Sequence, residues 1–154
     1  MHGSSFILED INQYLIFVSQ VKNLSENTTK SYKRDLKKLG MFINELKVSN
    51  YSDITPEICS AWIGNLYNQD NNPKSIQRHL SSAKGFFRFL KKNNVIDSSP
   101  FELITAPKSP SNLPEVLSPE DIEQLLNFKP ANLIEIRDMA IIELMYSSGL
   151  RVSE

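Results

Sequence analysis

Over its first 93 residues the chain repeats apolar side chains at spacings of three and four, and it nowhere sustains the apolar/polar alternation with β-branched enrichment of a half-buried strand. A helical fold follows. In the stretch that opens near Pro73, Ile76, Leu80, Ala83, Phe87 and Leu90 form one stripe, leaving Lys74, Arg78, Ser81, Gly85 and Arg88 on the opposite face. Three further helices precede it. The first runs from about Leu8 to Val21 and turns Ile11, Tyr14, Leu15 and Val18 inward. The second is capped by Ser25 and extends to about Leu46, with Tyr32, Leu36, Leu39, Ile43 and Leu46 inward and Lys30, Lys33, Arg34, Lys37 and Lys38 outward. Thr55, Pro56 and Glu57 open the third: a cap, a proline whose missing N–H costs nothing at the first position, and an acid at the positive end of the helix dipole. Ile58, Trp62, Ile63 and Leu66 are its buried side. The expected fold is all-α, a domain of four or five helices.

Four of the eight prolines (Pro100, Pro107, Pro110, Pro114) fall in residues 97–117, which read as a semi-rigid linker. The expected boundaries are a first domain over 1–105, a linker over 106–117 and the start of a second domain over 118–154. Ser118, Pro119, Glu120 and Asp121 open a helix that buries Ile122, Leu125 and Leu126, and a break follows at Pro130. The next helix, ended by Gly149, is apolar nearly all round through Met139, Ala140, Ile141, Ile142, Leu144 and Met145, as in a helix covered on several sides. Nothing in the remaining residues covers it, so the sequence reads as a fragment cut within its second domain.

At 154 residues, 40% hydrophobic and 23% charged, the chain has the make-up of a globular protein. One cysteine, Cys59, forms no internal disulfide, and no apolar run approaches the ~20 residues of a membrane span, so a cytoplasmic setting without membrane insertion is expected. Cys59, His2 and His79 lack metal-ligand spacing, no Gly-rich phosphate loop or GxSxG elbow occurs, and no cofactor is expected. His79 is placed beside the basic face and Cys59 in or near the core.

The net charge of −1 conceals an asymmetry. Residues 1–93 carry 13 Lys and Arg against 8 Asp and Glu, whereas residues 94–154 carry 4 against 10. Residues 73–93 hold six bases and no acid. Taken singly, each basic helix face is explained as well by solvation as by a polyanionic partner. Two features favour DNA: the absence of acids from the fourth helix, and the hydroxyls among its bases. Ser75, Ser81 and Ser82 let a helix approach a groove wall while Lys74, Arg78, Lys84 and Arg88 reach phosphates or base edges. Thr28, Lys30, Ser31 and Arg34 give the second helix the same mixture, so the two helices form a candidate clamp for double-stranded DNA. The Phe86, Phe87 and Phe89 cluster fits core packing better than base stacking, since Phe87 lies on the apolar stripe.

The segment LSENTTKSYKRDLKKLGMFI resembles the L-S-x-x-T…Y-x-x-D-L stretch of tyrosine recombinases through Leu24, Ser25, Thr28, Tyr32, Asp35 and Leu36. The fourth helix is similar to their second DNA-contacting helix through Ser75, Leu80, Ser81, Phe86, Phe87 and Leu90, APKSPSNLP resembles A-P-K-x-x-x-x-L-P, and IRDMAIIELMYSSGLRVSE resembles R-D-x-A…Y-x-x-G-L-R-x-S-E. All four are collinear and span the chain from about Ile7. The Xer recombinases fit best, the XerC type somewhat better than the XerD type. The resemblance implies a SAM-like core-binding domain up to about residue 105, followed by the first helices of a truncated catalytic domain. It implies that Arg151 is the first catalytic arginine of an enzyme whose tyrosine attacks a DNA phosphodiester to form a 3′-phosphotyrosyl link. A permanently charged guanidinium suits the charge that develops on the non-bridging oxygens.

The same resemblance implies a tetrameric synapse on DNA for the full-length protein, and chromosome dimer resolution as the Xer task. The family's Lys, His-x-x-Arg, His or Trp and nucleophilic Tyr have no counterparts here; Tyr14, Tyr32, Tyr51, Tyr67 and Tyr146 do not match the nucleophile's motif, so binding without cleavage is expected. Lys84 stands where the family commonly has Arg, and lysine lacks the bidentate contact to guanine. A non-catalytic DNA-binding module, a phage or mobile-element integrase and a protein-interaction domain with solvated basic faces stay open as alternatives.

Overall fold

In a computed structural model of the chain, which describes residues 5–69, 71–105 and 116–151, every regular element is helical. The order is α1 (Ser5–Gln20), α2 (Glu26–Glu45), a 3-10 turn over Tyr51–Asp53, α3 (Pro56–Asn68), α4 (Pro73–Lys92), α5 (Pro119–Leu126) and α6 (Leu133–Ser148). The chain divides into two compact units, residues 1–110 and 111–154. Most of the expected linker, 106–115, including the APKSPSNLP segment, lies outside the described residues, as do the last three residues of the GLRVSE motif.

In the first unit the helix starts follow the capping chemistry of the sequence. Ser25 Oγ accepts from the Thr28 backbone N–H at 3.2 Å, Thr55 Oγ1 from Ile58 N–H at 3.4 Å and Asn72 Oδ1 from Lys74 N–H at 2.9 Å. Each cap satisfies an orphan donor, worth about 1 kcal/mol. The hub is α4, which packs on α1, α2 and α3. Its Ile76, Leu80, Ala83, Phe86, Phe87 and Leu90 are buried, along with Ile11, Tyr14, Leu15 and Val18 of α1, Leu36, Leu39 and Ile43 of α2, and Cys59, Trp62, Ile63 and Leu66 of α3.

Three expectations are corrected. Leu46 is 48% exposed because it is the C-cap of α2: Lys47 turns left-handed (φ 56°), Val48 N–H closes back onto the Ile43 carbonyl at 3.3 Å, and Val48 enters the core in place of Leu46. Ile58 is only half-buried, and its neighbour Cys59 takes the inward position. The proline-rich stretch does not begin as a linker. Phe101 is fully buried, its ring 5.0 Å from Phe87 and 5.8 Å from Trp62, so residues just beyond α4 complete the core.

Gly85 also departs from the expectation of an open position opposite the core. A Cβ there would overlap Tyr14 Oη and come within 3.3 Å of Cζ, so the missing side chain is what lets α1 lie against α4. Gly85→Ala gains up to ~1 kcal/mol of helix propensity, but Tyr14 is buried and has little room to move, and overpacking costs about 1–3 kcal/mol. We expect net destabilisation of roughly 1–2 kcal/mol by urea denaturation. A stabilised Gly85→Ala protein would show that Tyr14 yields freely.

In the second unit Ser118 and Asp121 form a reciprocal capping box at the start of α5, and Gly149, left-handed at φ 65°, caps α6. The two helices pack on each other, with half-buried Ile122, Leu126, Ile142 and Met145 framing an apolar groove. Leu125, expected inside, is 44% exposed. The all-round apolar character of α6 leaves Leu133, Ile134, Ile136, Ile141 and Leu144 exposed, since α5 covers one side only.

Candidate nucleic-acid interface

Where α2 meets the N-terminal half of α4, an open groove is lined by Asn27, Thr28, Ser31 and Tyr32 from one helix and Lys74, Gln77, Arg78 and Ser81 from the other. Among the described residues no carboxylate lines it. It unites five of the residues proposed from sequence: Thr28, Ser31, Lys74, Arg78 and Ser81. The 100° advance per residue explains the grouping, because Lys74, Arg78 and Ser81 fall within one stripe of α4 and Thr28 and Ser31 lie at the edge of α2 that faces it. Asn27, Tyr32 and Gln77 are additions. Their signal in the sequence is only their spacing from the expected residues.

The other candidates are placed differently. Arg34 flanks the groove, its Nη2 donating to Ser31 Oγ at 3.3 Å. Arg88 is exposed on the same stripe, close enough to Tyr14 to oppose the rise that burial imposes on that hydroxyl, pushed up to about 12. Ser75 is half-buried beside the groove. Lys30 points to the far side of α2, where it pairs with Glu26 at 2.7 Å. Ser82 is fully buried and spends its hydroxyl on the His79 carbonyl at 2.9 Å, so it presents nothing to a partner. Lys84 leaves the groove and reaches the Glu102 carbonyl at 3.5 Å. Phe86 and Phe87 are fully buried, while half-buried Phe89 packs on Tyr14 and Phe17, which places the aromatic cluster in the core. In the second unit Arg151 is exposed, two residues beyond the Gly149 cap.

Beneath the groove lies a polar cluster that the sequence reading passed over. Asp35 is 1% exposed, and its Oδ1 lies 3.1 Å from Arg78 Nη2 and 3.3 Å from His79 Nδ1. Asp35 Oδ2 and His79 Nδ1 have no hydrogen-bond partner among the described residues. His79, expected beside the basic face, is in fact buried edge-on against Trp62. Burial pushes the Asp35 carboxyl up to about 6 against the pull of Arg78, Arg34 and Lys38, and burial with the cations Arg78 and Lys38 pushes His79 down to about 4. Near neutrality Asp35 is therefore charged and His79 neutral. Cys59 is buried too, its thiol pushed up to about 12, which leaves it unreactive.

The two shifts oppose each other in their effect on stability. The Asp35 value rises from 3.8 on folding, so its contribution is complete below that pH and is lost as pH climbs through about 6. The His79 value falls from 6.5, so its contribution is complete above that pH and is lost as pH drops through about 4. Asparagine mimics the protonated carboxyl. Asp35→Asn should therefore gain on wild type by up to about 3 kcal/mol as pH rises from about 4 to about 6, measured by urea unfolding at each pH. A difference that does not vary with pH would show an unshifted carboxyl.

The family model described as phage integrase, N-terminal SAM-like domain, matches residues 11–94, more than half of the chain. The tyrosine recombinase XerD of Staphylococcus haemolyticus is 36% identical over 145 residues, covering 94% of this chain and 49% of that protein. XerD of Staphylococcus aureus is 34% identical over the same shares. The chain thus spans about half the length of the curated relatives it matches. Among the described residues no helix is long and apolar enough to cross a membrane. With the SAM-like match over the helical core and the collinear likeness running beyond it, the chain belongs to the tyrosine recombinase (phage integrase) family, in its Xer type.

Proposed function

We propose that residues 1–105 are the core-binding domain of a site-specific recombinase and hold double-stranded DNA in the α2–α4 groove, with residues 118–154 opening the catalytic domain after a linker. The observation that carries this reading is the groove itself: two cations, four hydroxyls and, among the described residues, no carboxylate on one surface. In the whole protein, strand cleavage and rejoining would pass through a 3′-phosphotyrosyl link, with Arg151 donating charge-assisted hydrogen bonds to the phosphoryl oxygens. A tetrameric synapse, a cytoplasmic setting and chromosome dimer resolution complete the proposal. The relatives carry the XerD name, which favours the XerD type over the XerC type.

Binding of a fluorescent duplex to the chain between about 50 and 200 mM salt tests the proposal. Contacts to three or four phosphates predict a log–log salt slope of about −3 to −4, since each neutralised phosphate releases about 0.9 counterion. Salt-independent binding, or none, would refute it.

A further inference from the structure

Resting on that reading, we propose that Arg78 reads a guanine edge in the major groove and that Asp35 is the residue that positions it. The argument starts from a liability. A buried carboxylate with one oxygen unpartnered weakens a fold unless it is paired, and among the described residues this one meets Arg78 Nη2 at 3.1 Å and His79 Nδ1 at 3.3 Å. Leucine or asparagine would fill the same place on α2 without burying a charge. What the carboxylate adds is direction. It holds one corner of a guanidinium whose side chain is 38% exposed at the lip of the groove.

A guanidinium carries five N–H donors in a rigid plane, so fixing one corner fixes the line of the others. The other edge of the guanidinium can then present the parallel pair of donors that guanine O6 and N7 accept. Lys74, on the same stripe, has no carboxylate anchor among the described residues, and its ammonium suits a phosphate. Lys84, further along α4, is turned toward the Glu102 carbonyl instead. Readout is thereby assigned to Arg78 and backbone contact to Lys74 and Arg88.

The experiment selects bound duplexes from a pool of about 30 base pairs with a randomised centre, then replaces each guanine of the enriched sequence by 7-deazaguanine, which lacks the N7 acceptor. Wild type should lose about tenfold or more in affinity at one guanine, the discrimination of a single bidentate pair. Arg78→Lys should abolish that sensitivity, so that the selected duplex and its 7-deazaguanine counterpart bind alike, because lysine cannot make the bidentate contact. Asp35→Asn should reduce the sensitivity to below about threefold and leave random-duplex binding equal or tighter, because one negative charge is gone.

A merely structural Asp35 would move both affinities together, in step with the folded fraction read by circular dichroism, and that result overturns the assignment. So does guanine sensitivity that survives in Arg78→Lys, or an enriched sequence with no sensitive guanine. Absence of binding to every duplex would sink the groove as a DNA site and this inference with it, whereas salt-dependent binding without guanine discrimination sinks the inference alone.

Discussion

Lys74→Glu combined with Arg88→Glu is expected to lower duplex affinity by about 100-fold or more near 0.1 M salt and to flatten the salt slope by about 2. Both side chains are exposed on the acid-free stripe of α4. Arg78 is left in place because its removal would strand the buried Asp35. The informative control is Lys33→Glu with Lys37→Glu, which makes the same change in net charge on the solvent side of α2 away from the groove. Screening over about 8–10 Å at physiological salt leaves that pair a much smaller effect. Equal losses from the two pairs would show that DNA responds to overall charge rather than to the groove. Neither pair touches the core, so unfolding midpoints should move by about 0.5 kcal/mol or less.

Phe87→Ala is expected to cost about 3–5 kcal/mol, lowering the melting temperature of the first unit by roughly 15–30 °C. The ring is fully buried and sits within 6.3 Å of the rings of Tyr51, Phe86 and Phe101, so its loss leaves a cavity bounded by groups already fixed by other contacts. Tyr51 is anchored by its hydroxyl, which donates to Asp10 Oδ2 at 2.7 Å, and it has little freedom to collapse into the gap. Phe89→Ala, at a half-buried ring on the α1 side, is expected to cost no more than about half as much. Circular dichroism melts of the two variants check the ordering. A Phe87→Ala protein as stable as the Phe89→Ala one would contradict the central place given to that ring.

Much of the groove could be read from residue spacing. Lys74, Arg78 and Ser81 recur at four and three, and no residue type on that face of α4 offers a negative charge. Ser82 is one position from Ser81 and has the same chemistry, yet the 100° rotation between them carries it into the interior, where its hydroxyl turns to its own helix. Lys84 is turned away from the groove for a different reason. Its destination, the Glu102 carbonyl, is 18 residues away along the chain, and no local periodicity announces a contact of that kind.

The buried cluster shows the same limit. Asp35 lies three residues after Tyr32 and four before Leu39, on the apolar stripe itself, and that placement was a visible sign of a buried acid. What satisfies it was not visible.

Amphipathic spacing, capping residues and prolines determined where helices begin and end and which face of each is apolar, because these depend on interactions within four residues along the chain. The distribution of charge determined that α4 presents a basic face. Tertiary packing alone decided that Phe101 belongs to the core, that α1 closes over Gly85, and that Asp35 meets Arg78 and His79. Those contacts arise where helices cross, and a crossing brings together residues whose separation in sequence carries no signal of their distance in space.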